Sequence, residues 1–365
     1  MNGDRLRQAR ELRGHTQTRL AQEAGITQPA IAQFESGGVQ PSSEVAEALA
    51  SALQVPLGFL DVGPKRLPEG SLGLQRALAR TKAGHLAAAR ARAAVAYELA
   101  DLLRSRIRRP PVRVPRLEAA DPENAAAITR SALGLSPDEP IKNLTRSLER
   151  AGVIVFVLGL EPPEQDSEDI VGFSAWIGDP ATPCIFVDSR TTAFRRRATI
   201  AHELGHLVLD HQAPKGRVAD LEDEAWDFAR CLLLPPDVVR DELGDVPDLG
   251  TLARIKGRWG VSMSFVVKQV ERLGILSRGQ VDRLKVRVKL KFGSEEPGDA
   301  VTTPETPLLL KRMAELHYGQ NYQADVIARE TSLPSDIVAS VLDSDHVSDK
   351  VRRLFERSKL SGDDW

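Results

Sequence analysis

The stretch Thr199-Ile-Ala-His-Glu-Leu-Gly-His-Leu-Val-Leu209 constrains this chain more than any other, because it sets His202 and His206 four residues apart with Glu203 beside the first. On an α-helix, positions i and i+4 share a face. Both imidazoles can therefore reach one metal ion, while Glu203, one step round, faces a water on the ion's open side. Ile200, Ala201, Leu204, Leu207, Val208 and Leu209 flank the motif as in a buried helix, and Gly205 permits close approach of another backbone. The plain alternative, an amphipathic helix with two surface histidines, fits these flanks poorly.

A catalytic Zn²⁺ takes three protein ligands and a water. The third histidine of the metzincin pattern would fall at 212, which is Gln212, and its glycine at 209, which is Leu209, so that class is excluded. A carboxylate from the next helical segment, Leu221 to Pro235, is the remaining option, and Glu222, Asp223 and Glu224 open that segment. Ala225, Phe228, Ala229 and Leu232 mark its apolar face, and Glu224 lies four residues before Phe228. Glu224 is the expected third ligand and Glu222 the second choice. Asp223 and Glu222 also read as a solvated first turn whose charge favours the helix N-terminus. His211, just beyond the HExxH helix, is not expected to ligate.

Arg195-Arg-Arg-Ala-Thr-Ile-Ala-His-Glu-Leu-Gly-His, followed by Glu224-Ala-Trp-Asp-Phe-Ala and Leu232-Leu-Leu-Pro235, resembles the ImmA/IrrE family of small zinc peptidases. The chain departs from that pattern at Ala198, where Phe is usual, and at Trp226, where Asn is usual. Upstream, Ile170 to Ile177 and Pro183 to Asp188 resemble the family's two strands, with Asp188 where Asn is common. The likeness covers roughly residues 120–280. It implies one Zn²⁺ per chain, a glutamate as third ligand, and cleavage of a helix-turn-helix repressor. That cleavage would release a stress-response, phage-defence or mobile-element operon, often upon DNA damage.

With 365 residues, 42% hydrophobic and 27% charged, the chain has globular composition and room for two or three domains. No apolar run approaches a membrane span and Met1-Asn-Gly-Asp-Arg5 is no signal peptide, so the expected location is the cytoplasm, with no membrane partner. Cys184 and Cys231, the two cysteines, read as small core residues. A second option is that one thiolate takes the metal's fourth position and holds an enzyme off.

Residues 1–62 form a separate unit. Ala21, Gly25, Ile26, Thr27, Ile31, Phe34 and Glu35 fall in an order similar to the XRE/Cro-type helix-turn-helix. Its recognition helix would present Thr27, Gln28, Ala30 and Gln33, with Gln17 at the start of the preceding helix; an exposed glutamine can pair with adenine. Five arginines against seven acids give this unit a net charge of −2, which is poor for phosphate contact. A helix-turn-helix that binds protein instead is the competing reading.

Positive charge concentrates next door. From Pro64 to Arg116, thirteen Lys/Arg face three acids, a net of +10 in a chain whose total is −2. Arg90, Arg92, Arg104 and Arg106 are the candidate contacts to nucleic acid, with single-stranded DNA as an activator of proteolysis. The bland reading is a linker helix with solvated arginines.

The expected fold is mainly α with a small β-sheet (α+β). Residues 1–62 would be the helix-turn-helix, 63–118 a basic linker helix, and 119–288 a gluzincin-like zinc peptidase domain. Residues 289–306 would be a linker and 307–365 a helical C-terminal region, whose faint helix-turn-helix cadence reads better as a plain helix pair. The function expected is a zinc endopeptidase that cuts a partner repressor, with His202, His206 and Glu224 on the metal and Glu203 as general base. Rival expectations are a transcription regulator whose peptidase-like domain senses a ligand, and an antitoxin-like regulator that binds its own promoter as duplex DNA.

Overall fold

The computed structural model describes residues 1–68, 83–107, 110–160, 171–211, 217–244, 247–293 and 295–343. Parts of the expected basic linker (69–82 and 108–109) and of the C-terminal region (344–365) lie outside the described residues.

The chain opens with α1 (Gly3–Leu12), α2 (Gln17–Glu23), α3 (Gln28–Ser36) and α4 (Ser43–Ala52), closed by a 3₁₀ turn, Leu57–Asp61. Each helix starts where a short polar side chain takes up an orphan backbone N–H: Asn2, Thr16, Thr27 and Ser42 accept from Arg5, Arg19, Ala30 and Val45. Leu6, Leu12, Leu20, Ile31, Leu49, Leu53 and Phe59 fill the centre. Buried Glu35 accepts from Arg10 Nε at 2.6 Å and from Gln17 Nε2 at 2.9 Å, tying the first three helices together.

Helix α5 (Ala83–Arg106) has alanine, leucine and valine on all sides, the pattern of a helix covered all round rather than one with a wet face. Leu86 to Leu103 are mostly buried. They share one core with the helix-turn-helix, with one face of the sheet, and with the C-terminal helices α14 (Leu309–Tyr318), α15 (Ala324–Thr331) and α16 (Ser335–Leu342).

Between α5 and the metal motif come α6 (Pro122–Ala132), α7 (Leu144–Arg150) and three strands, β1 (Ile154–Leu158), β2 (Gly172–Ile177) and β3 (Thr182–Asp188). The strand order is β1-β3-β2, with β1 parallel and β2 antiparallel to β3. Alternation splits the sheet's side chains between two cores. Phe156, Phe173 and Phe186 stack across the strands at centroid distances of 4.6 and 4.8 Å on the α5 side. Val155, Ile185 and Val187 join the core that holds α8 (Ala193–Val208) on the other. After α8 follow α9 (Val218–Leu233), α10 (Pro236–Leu243), α11 (Leu249–Trp259), α12 (Met263–Arg272) and α13 (Arg278–Phe292).

Two expectations are corrected here. Of the α5 arginines expected to contact nucleic acid, Arg92 is buried, Arg90 and Arg104 are half-buried, and only Arg106 is exposed. Arg92 is 6% exposed and donates to the carbonyls of Leu12 and Gly159 at 3.2 and 2.9 Å. Arg104 donates to Tyr97 Oη, and Arg106 to Glu330 and Tyr318 of the C-terminal helices. Burial lowers the Arg92 guanidinium only to about 10, so it stays charged while serving as a strut. Arg90 is partly buried, in the wall of a cleft shared with Asp4, Arg7 and Glu11 of α1. The segment expected as linker 289–306 is likewise not loose. Its first residues belong to α13, and Glu296 is buried, accepting from Lys256 Nζ at 2.9 Å and from the backbone N–H of Met263 at 2.6 Å. Glu305 accepts from Thr145 N–H at 2.7 Å and pairs with Arg197.

Candidate metal centre

Helix α8 is held on both sides by glycine contacts. A Cβ at Gly205 would stand 3.0 Å from Ala225 O and 3.0 Å from the Phe228 ring, so this glycine lets α9 cross α8 at near backbone contact. A Cβ at Gly172 would stand 2.8 Å from Thr199 Cγ2, so β2 also lies tight against α8. The motif helix is thus clamped between β2 and α9.

This crossing brings together His202, His206 and Glu222, all buried. The Nε2 atoms of His202 and His206 are 3.1 Å apart, and each lies 3.4 Å from a Glu222 carboxylate oxygen. Donor atoms about 2.0–2.1 Å from a tetrahedral zinc stand roughly 3.3 Å from one another, so this donor set has the composition and spacing of a zinc site. Burial pushes the Glu222 carboxyl up, but hydrogen bonds and charge from the two histidines outweigh that and hold it well below the usual carboxylate range.

Glu224, the expected third ligand, does not join this group. Its side chain is 47% exposed against 11% for Glu222, and its Oε2 lies 3.1 Å from His211 Nε2. Two residues turn a helix by about 200°, so the two carboxylates flank the apolar stripe of α9 from opposite edges. Only the edge bearing Glu222 is turned to the motif histidines. His211 sits behind His206, with 3.0 Å between their Nδ1 atoms; burial first, then the neighbouring His206, push its imidazole down to about 4.

Glu203 is buried and outside the three-residue cluster. The Ser174 hydroxyl of β2 lies 2.8 Å from Glu203 Oε2 and 2.9 Å from Glu203 O, with one proton to share between them. Trp226, where the family pattern has Asn, lays its indole against His202 at a centroid distance of 4.3 Å. Sequence reasoning missed Ser174 as a partner of Glu203; the only signal was its place on a strand ahead of the motif. Arg196 and Arg197, the cations nearest the motif in sequence, are buried and used structurally. Arg196 donates to Ser189 O and Arg197 to Ile141 O.

Neither cysteine takes part. Cys184 lies in the core on the α5 side. Cys231 Sγ is 2.9 Å from Arg272 Nη2, and burial pushes its thiol up to about 12, so the inhibitory thiolate has no support here.

On the helix-turn-helix, Thr27, Gln28 and Gln33 are exposed, Ala30 half-buried, and Gln17 half-buried with its Oε1 accepting from Gln28 Nε2 at 2.8 Å. Exposed basic charge lies there at Arg7 and Arg19, and gathers more densely on α13, where Arg278, Arg283, Lys285, Arg287, Lys289 and Lys291 all face solvent. Among the described residues no helix is long and apolar enough to cross a membrane.

Comparison with known families returns two matches. Residues 6–60 match the helix-turn-helix family, and residues 149–271 match the peptidase family described as IrrE N-terminal-like domain. No curated protein matches the chain.

Proposed function

We propose, for a chain that joins a DNA-binding helix-turn-helix to an IrrE N-terminal-like domain of the metallopeptidase kind, that it is a zinc endopeptidase acting on a helix-turn-helix repressor. The observation that carries this is the convergence of His202, His206 and Glu222 beside a buried Glu203. A catalytic site needs a ligand set and, separate from it, a base. In this reading Glu222 replaces Glu224 as third ligand.

When bound, zinc supplies the Lewis acidity that polarises a scissile carbonyl and makes water a stronger acid. The protein's residues do the rest. Glu203 accepts a proton from the attacking water and delivers it to the leaving amine; its carboxylate is oriented by the Ser174 hydroxyl. Trp226 packs against His202 and limits the ring's rotation. Among the described residues β2 pairs with β3 along one side, and its other side offers backbone groups to which an extended substrate adds as a strand next to Glu203. The helix-turn-helix holds Thr27, Gln28 and Gln33 toward a duplex groove, with Gln17 orienting Gln28.

The test joins composition to chemistry. Full-length protein is expected to carry one zinc per chain by elemental analysis, Glu222→Ala is expected to lose it, and a helix-turn-helix repressor encoded beside the gene is expected to be cut, read by intact mass. A zinc-loaded wild-type protein that leaves every such repressor intact would sink the peptidase assignment in favour of a metal-dependent DNA-binding regulator.

A further inference from the structure

Behind His206 runs a chain of hydrogen bonds that the catalytic reading does not use. Helix α8 ends with Asp210 in the left-handed conformation, φ 56°, and the His211 N–H closes back on His206 O at 3.0 Å. Arg116 Nε holds the Asp210 carboxylate at 2.8 Å. This cap folds His211 under the last turn of the helix, so that His211 Nδ1 meets His206 Nδ1 at 3.0 Å and His211 Nε2 meets Glu224 Oε2 at 3.1 Å.

The proton positions along this chain follow one from another. A carboxylate accepts and has no proton to give, so His211 donates from Nε2. A neutral imidazole with its proton on Nε2 carries a lone pair on Nδ1, so His206 donates to it from its own Nδ1. His206 is then left with a lone pair on Nε2, the atom that faces His202 Nε2 and the Glu222 carboxylate.

We propose that His211 and Glu224 are positioning residues, which fix His206 in the Nδ1–H tautomer and present its Nε2 lone pair to the metal. This rests on the metal-centre reading above. Metal-binding histidines are commonly oriented by a carboxylate or carbonyl on the second nitrogen. Here a second imidazole is interposed, and the orienting carboxylate stands at the solvent edge, on the same helix that brings Glu222. Glu222 and Glu224 of α9 thereby serve the same ion from different distances, Glu222 by meeting it and Glu224 by setting the tautomer of the histidine opposite.

Zinc affinity of the full-length protein, measured by competition with a chromophoric chelator, tests this. His211→Phe keeps a ring and removes the acceptor, and is expected to weaken zinc binding about 10–100-fold. His211→Asn, whose amide oxygen replaces the acceptor, is expected to recover most of the loss. Glu224→Ala changes a half-exposed side chain that the core does not need, and is expected to weaken zinc binding several-fold. In the zinc-loaded protein, imidazole nitrogen spectra are expected to show His211 in the Nε2–H form. Wild-type affinity in both His211→Phe and Glu224→Ala, or His211 in the Nδ1–H form, would overturn the inference alone. Should His211→Phe fail to fold, Glu224→Ala and the spectra decide. A wild-type protein that takes up no zinc would overturn the metal centre and the inference with it.

Discussion

Helices α5 and α8 cover opposite faces of the same three-stranded sheet, and each carries charged or ionisable side chains into a buried setting. They differ in where those groups point. On α8 the two motif histidines turn toward one place, where Glu222 of α9 meets them with all three donor atoms within 4.8 Å. On α5 the buried groups part company: Arg92 goes to two carbonyls, Glu98 to Arg5 of α1 at 2.7 Å, and Arg104 to Tyr97. Groups that converge leave room for a shared ion, whereas groups satisfied one by one hold elements together. Charge density along the sequence does not separate these cases, but direction in space does.

The sharpest way to break the contrast is at Glu203. Glu203→Gln is expected to cut repressor cleavage by about 10²–10⁴-fold, the usual worth of a general base, while zinc content and melting temperature stay near wild type. Near-normal cleavage by this variant would remove Glu203 from the mechanism. The opposite behaviour is expected on α5. Glu98→Ala strands Arg5, which is 2% exposed, and is expected to cost about 3–5 kcal/mol in urea unfolding with zinc stoichiometry retained. If stability holds and zinc is lost instead, α5 belongs to the site and the division between scaffold and centre fails.

A smaller effect is expected on α3. Gln28→Ala or Gln33→Ala should weaken binding to a preferred duplex by about 1–3 kcal/mol in a titration at fixed salt, with no change in unfolding. Equal affinity for every duplex before and after substitution would show that these glutamines do not read bases. The smallest effect is expected on the exposed helix α13, where Arg283→Ala should move stability by no more than about 0.5 kcal/mol. A larger loss would mean that this basic face is packed in a way its exposure does not indicate.

The motif helix, the shared face of its two histidines and the helix-turn-helix were legible in the sequence because each obeys a local rule: i,i+4 spacing for His202 and His206, and a capped, left-handed turn at Gly37 for the end of α3. Which carboxylate meets those histidines was not, for a physical reason. Glu222 and Glu224 border the same apolar stripe on α9, and periodicity marks the stripe without saying which border faces α8. That is decided by how α9 crosses at Gly205, a contact between distant segments. Helix α5 was misread for a related cause. The thirteen-to-three excess of cations over Pro64 to Arg116, the segment that contains it, suggested a nucleic-acid surface or solvated arginines, yet alanine on every side of the helix let three different neighbours pack on it. The apolar pattern was the better guide than the charge.

The acidic segment after α13 bears on how this chain can be divided for experiment. Read as a spacer, it invites cutting the gene near residue 293 to obtain the half with the candidate metal centre alone. In the folded protein Lys256 is 2% exposed and meets Glu296 and Asp299, and Arg197 meets Glu305, so such a fragment would lose the anions that face both cations. It would also lose the acceptor that Glu296 offers to the first backbone N–H groups of α12. A soluble fragment carrying the candidate metal centre therefore needs its C-terminal border beyond Glu305, and failure of a shorter one would report on a missing clasp rather than on the chemistry of the site.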